Sequence, residues 1–181
     1  MPSVKDDLWS RLRDARAAML AALDGLSEYD RRRPMTRSGT NLLGLVKHLA
    51  GEEYGYLGET FGRPPVRRPT WFRNDPYTEI DMWAMPDESS DYIVRVYQEA
   101  AAHADETIYS LDLSSPGRVA HWSGDQATNL GSMLVLMVGE TAQHAGHADI
   151  LRELITAELE TPTSALDDRF AQAHAAAEHF R

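Results

Sequence analysis

No cysteine occurs among the 181 residues. Disulfides and a thiol nucleophile belonging to the chain are therefore excluded, and any thiol chemistry must borrow its sulfur from a small molecule. Basic residues are also scarce, 18 Lys and Arg against 28 Asp and Glu for a net charge of −10. That balance leaves no counterion-releasing surface for a phosphate backbone and speaks against nucleic acid as a partner. The two local exceptions, RRR at 31–33 and RPPVRRP at 63–69, are short, adjoin turn residues and read as solvated loop charge. Long apolar runs are missing too. No segment approaches the roughly 20 apolar residues of a membrane span, and the N-terminal MPSVKDDLWSRLRDA carries acids where a signal peptide needs an apolar stretch. A soluble, cytoplasmic chain without a membrane partner is expected. Alternation of period two is too weak to predict a sheet.

What is present is helical periodicity. Residues 3–26 place Leu8, Leu12, Ala15, Met19, Leu23 and Leu26 on one face, closed by Gly25 and the polar SEYDRRRP. In 39–60 the face is Leu42, Leu45, Leu49 and Tyr56. Ser38 or Thr40 can cap its start, and FGRPP at 61–65 ends it, because proline neither donates a backbone hydrogen bond nor fits a continuing helix. Residues 88–111 repeat the pattern with Tyr92, Val96, Ala100, Ala104, Ile108 and Leu111, and 127–157 form a fourth helix. An alanine-rich stretch over 163–180, with Phe170, Ala173, Ala177 and Phe180, predicts a fifth, free to pack on the others or on a second copy as a homodimer. The connection at 62–89 is long enough to serve function or fold over as a lid. The turn-rich segment at 114–128 reads as a surface excursion, with His121 and Trp122 near a site mouth as the alternative. The class expected is all-α, a four-helix bundle with a long loop after helix 2 and an extra C-terminal helix. The bundle would take residues 1–160 and the helical extension 161–181.

Chemistry enters where the stripes are interrupted. At about 100° per residue, Met133, Met137, Glu140, His144, His147, Leu151, Leu154 and Ile155 fall within an arc of roughly 100°. The inward face thus changes from methionine to glutamate and histidine and back. Glu140 and His144 stand on successive turns about 6 Å apart, able to reach one point between helices. A buried unpaired carboxylate is costly, and a divalent cation is one of the few partners that offsets its desolvation. His48 interrupts the earlier face in the same way, with Glu52 beside it. His48, Glu140 and His144 are therefore a candidate three-ligand metal site with a position left open for water or substrate, the mark of catalytic rather than structural metal. The plainer alternatives are a semi-buried Glu–His hydrogen bond and a satisfied core histidine. His147, one turn on and read as equally inward, could replace Glu140, orient a ligand from outside, act as a base or simply pack.

The segment SGTNLLGLVKHLAGEEYGYLGETFGRP together with GETAQHAGHADILREL resembles the DinB-like superfamily, especially its actinobacterial branch. It is also similar to the metal-binding domain of mycothiol-dependent maleylpyruvate isomerases. The likeness runs over positions 5 to 157. It implies a four-helix bundle with a divalent ion, commonly zinc or nickel, in a pocket at one end. Many DinB-like proteins supply one histidine from the second helix and two from an HxxxH on the fourth. Here that motif reads Glu140-Thr-Ala-Gln-His144, the variant found in the isomerase branch, so the resemblance implies His48, Glu140 and His144 as ligands and leaves His147 outside the trio.

The resemblance further implies a low-molecular-weight thiol such as mycothiol as co-substrate, deprotonated by the cation. The isomerases carry an additional C-terminal domain with no counterpart in these residues, so isomerisation is not expected. The expected function is metal-dependent thiol transfer to, or detoxification of, a small electrophile. A metal-dependent hydrolase and a non-catalytic metal-binding stress protein are the alternatives.

Overall fold

The first helix starts where sequence chemistry lets it. Ser3 accepts a hydrogen bond from the Asp6 amide while the Asp6 carboxylate accepts from the Ser3 backbone, a reciprocal cap that satisfies two otherwise free donors. In the computed structural model, which describes residues 3–69, 71–72, 81–159 and 164–178, helix is the dominant element. Helix α1 covers Val4–Ala21 and α2 is a short helix at Glu28–Arg32. Helix α3 covers Leu42–Tyr56, followed by a 3-10 turn at Glu59–Phe61. Then come α4 at Ser90–Ser110, strands β1 at Pro116–Arg118 and β2 at Ala127–Asn129, α5 at Leu130–Leu159 and α6 at Ser164–Glu178. The four long stripes are thus all helices. Among the described residues no helix is long and apolar enough to cross a membrane.

Several local expectations are corrected. Asn41, not Ser38 or Thr40, caps α3 by accepting from the Gly44 amide at 2.8 Å. The helix ends at Tyr56, before the prolines. The 114–128 excursion contains a small antiparallel sheet, pairing Pro116 with Asn129 and Arg118 with Ala127. Its strands are three residues long, too short to show alternation. The arginines at 31–33 are half-buried rather than solvated loop charge. Arg31 reaches the Leu23 carbonyl, while Arg32 reaches the Met85 and Glu88 carbonyls and ties α2 to the start of α4. Of the C-terminal stripe, Phe170 is exposed, and Phe180 lies outside the described residues.

Helix α5 packs against α1 and α3, and α3 packs against α4. The core forms two apolar clusters. One gathers Met19, Leu45, Leu49, Ile93, Tyr97, Ala100, Leu151 and Ile155, and the other Leu12, Leu57, Ala104, Ile108, Leu130, Met133 and Met137. Each buried leucine contributes about 1.5–3 kcal/mol by leaving water. Between the clusters runs a polar layer. Arg16 donates to both Glu53 carboxylate oxygens at 2.6 and 2.7 Å, and to Asp105 at 2.6 Å. Glu140 and His144 leave α5 at this same level, after Met137 and before Leu151. His48 lies near the middle of α3, and Glu140 and His144 near the middle of α5.

Candidate metal centre

His48 lies at the middle of α3, its ring half-buried beside Asp81. Its Nδ1 is 2.7 Å from Asp81 Oδ2, and its Nε2 points the other way, 3.6 Å from Glu140 Oε1. Because a carboxylate only accepts, Nδ1 carries the proton and Nε2 offers its lone pair. From α5, His144 Nε2 approaches the same Glu140 oxygen at 2.9 Å. The two imidazole rings meet edge to face, centroids 5.2 Å apart. One donor atom from each of His48, Glu140 and His144 falls within 4.8 Å of the other two. Tetrahedral coordination at 2.0–2.1 Å places donors about 3.3 Å apart, inside the range these contacts span. Two imidazole nitrogens and a carboxylate oxygen also suit zinc and its neighbours in donor chemistry, so the residues present fit a divalent ion.

The electrostatics favour a cation. Burial alone would lower the His48 pKa, but the Asp81 hydrogen bond and the field of Glu52, Asp81 and Glu140 outweigh it, and the net shift is upward. Burial, reinforced by the neighbouring His48, holds His144 below the usual histidine value, with Glu140 offsetting part of the fall. Glu52 stands one turn along α3 from His48. Burial, with Glu140 and Asp81 close by, pushes its carboxyl up to about 7 against the opposing pull of His48. The carboxylates of Glu52, Asp81 and Glu140 repel one another, and a cation among them would relieve that repulsion.

His48, Glu52 and Asp81 open onto a cavity of about 790 Å³. Its wall is shared by Tyr56, Trp71, Phe72, Met82, Trp83 and the hairpin residues Arg118 to His121. The hairpin can lie this close because Gly117 has no side chain. A Cβ there would stand 2.7 Å from the Phe61 ring and 2.8 Å from Thr60. His121 is exposed yet bonded to Tyr56 Oη at 3.2 Å, so the excursion does reach the site mouth.

The family model described as Mycothiol-S-transferase matches residues 7–157. The chain belongs to that family. The family's span takes in both His48 and the Glu140–His144 pair, and it bears out the DinB-like resemblance drawn from the motifs. No curated protein matches the chain. Among solved structures, a conserved protein of Enterococcus faecalis shares the fold at a TM-score of 0.61 with 14% identity, over 86% of this chain and 99% of that one.

Within this mycothiol-S-transferase member the structure brings together His48, Glu140 and His144. It does not bring in His147. That side chain is exposed, its ring 5.6 Å from that of His144, because the buried line of α5 runs through Thr141, Ala145 and Ala148 and leaves position 147 on its flank. Leu154, placed inward with it, is exposed for the same reason. Asp81 was missed. It lies 33 residues from His48 in an aperiodic connection that gives no spacing signal. Glu52 was legible as sharing the His48 face, but its place in a cavity wall was not.

Proposed function

We propose that the protein is a divalent-metal-dependent enzyme of DinB-like four-helix-bundle type that joins a low-molecular-weight thiol of the mycothiol kind to a small electrophile. His48, Glu140 and His144 are its metal ligands, and zinc or nickel its ion. The observation that carries this reading is the convergence of three donors from α3 and α5 beside a cavity of about 790 Å³, within the roughly 300–1,000 Å³ typical of small-molecule sites. Membership of a family described by mycothiol S-transfer supports the thiol, and the absence of cysteine means that the sulfur is not the chain's own.

A divalent cation held there would supply the charge that keeps a bound thiol ionised near neutral pH. The chain's residues do the rest. His48 and His144 present neutral nitrogens, and Glu140 leaves the ligand set with one negative charge, so the site retains positive charge for an anionic sulfur. Glu52, a carboxyl in the cavity wall one turn from His48, can take up the thiol proton. The apolar wall of Trp71, Phe72, Met82 and Trp83 receives the electrophile and limits water. Sulfur forms its bond to the electrophilic carbon while the leaving group departs with the bonding pair.

The test is direct. Metal-loaded protein given mycothiol and monobromobimane should form the thioether and release bromide faster than the uncatalysed mixture, and a chelator should abolish the excess. No acceleration, together with thiol-independent ester hydrolysis, would replace transfer by water activation. Stoichiometric metal with neither activity would leave a binding protein.

A further inference from the structure

Asp81 reaches His48 by an anchorage that is specific in its details. The Asp81–Glu88 stretch lies across α3 on its own backbone carbonyls. Met82 O sits in the space above Gly44, where a Cβ would stand 1.9 Å from it, and accepts from Asn41 Nδ2 at 3.1 Å. One turn along, Trp83 O accepts from Lys47 Nζ at 2.9 Å. That ammonium is fully buried and is also bonded to Glu88 Oε2 at 2.7 Å, whose oxygen accepts the Met85 amide as well. Buried charge must be paired to be tolerated, so Lys47 and Glu88 hold this backbone in one place. The cap of α3 (Asn41), its bare position (Gly44) and its buried lysine (Lys47) thus all serve one short segment. Asp81, next to Met82, meets the Nδ1 of His48, one residue beyond Lys47. By contrast, the buried Nδ1 of His144 has no hydrogen-bond partner among the described residues.

We infer that Asp81 is a positioning residue for His48, and that the seat formed by Asn41, Gly44 and Lys47 exists to deliver it. The inference rests on His48 being a metal ligand. By accepting the Nδ1 proton, Asp81 selects the tautomer whose Nε2 lone pair faces Glu140 and His144. It fixes the ring plane and adds basicity to the ligating nitrogen. Met82 and Trp83, on the same seat, form cavity wall, so ligand orientation and substrate space are set by one docked element.

The test compares Asp81→Ala and Asp81→Asn with the parent protein. Nitrogen-15 NMR of the metal-free proteins, at a pH where the imidazoles are neutral, should show His48 as the Nδ1–H tautomer in the parent. Asp81→Ala should give a tautomer mixture, and Asp81→Asn, whose amide oxygen still accepts, should keep the parent signal. Zinc affinity measured by chelator competition should fall about 10–100-fold in Asp81→Ala and less in Asp81→Asn, with unchanged circular dichroism. Parent-like tautomer and affinity in Asp81→Ala would overturn the positioning role while leaving the metal site intact. A parent protein that binds no zinc would overturn the ligand assignment itself.

Discussion

Replacing Glu52 with glutamine should stabilise the metal-free protein at alkaline pH and leave it unchanged at acid pH. The folded carboxyl titrates at about 7 rather than 4.5, so the folded state binds the extra proton between those values. The stability associated with that proton is fully present below pH 4.5 and is lost as pH rises through 7. Fully expressed, the difference is about 3 kcal/mol. Solvent at the cavity wall and the mutual coupling of these charges screen it, so about 1–3 kcal/mol is expected. For a chain of this length each kcal/mol moves Tm by about 2–4 °C. Thermal and urea unfolding of Glu52→Gln and parent at pH 4 and pH 8 would read the effect, a gain in Tm at pH 8 alone. Loading the ion should narrow the gap, because positive charge nearby stabilises the Glu52 carboxylate. Equal stability of the two proteins at pH 8, or a larger gap at pH 4, would refute the electrostatic reasoning.

Glu53→Gln removes the charge facing buried Arg16 and should cost about 3–5 kcal/mol in urea unfolding without lowering metal content, since among the described residues no hydrogen bond or ion pair links Arg16 or Glu53 to His48, Glu140 or His144. Gly44→Ala should displace the Met82 carbonyl and weaken zinc binding in the same direction as Asp81→Ala, measured by the same chelator competition and with helicity retained. With a net charge of −10, the protein should show no salt-sensitive retention of duplex DNA at physiological ionic strength, and tight retention in a mobility-shift assay would contradict that expectation.

Periodicity carried the four long helices because each buries a continuous apolar line, and helical spacing survives any detail of packing. It singled out His48, Glu140 and His144, whose donor atoms lie within 4.8 Å of one another, as polar interruptions of lines that are otherwise apolar. It misjudged His147 because an arc drawn on an ideal helix is wider than the strip a neighbouring helix covers, and α5 buries Thr141, Ala145 and Ala148 instead. Arg32 was misread because its guanidinium finds backbone carbonyls from a segment more than fifty residues away, a pairing that no local pattern encodes. Asp81 was illegible for the same reason. Its link to His48 is created by carbonyl docking on Gly44 and Lys47, where the backbone, not a side-chain period, carries the information. The β-hairpin escaped notice because its pairing is brief and its place is set by Gly117 resting on the 3-10 turn.

If a divalent ion held by His48, Glu140 and His144 accepts a thiolate, cobalt-substituted protein titrated with mycothiol will report it. One cobalt per chain is expected, with a new sulfur-to-cobalt charge-transfer band on adding thiol, and loss of both in the double variant His48→Ala with His144→Ala. A spectrum unchanged at saturating thiol, or full cobalt content in the double variant, would contradict it.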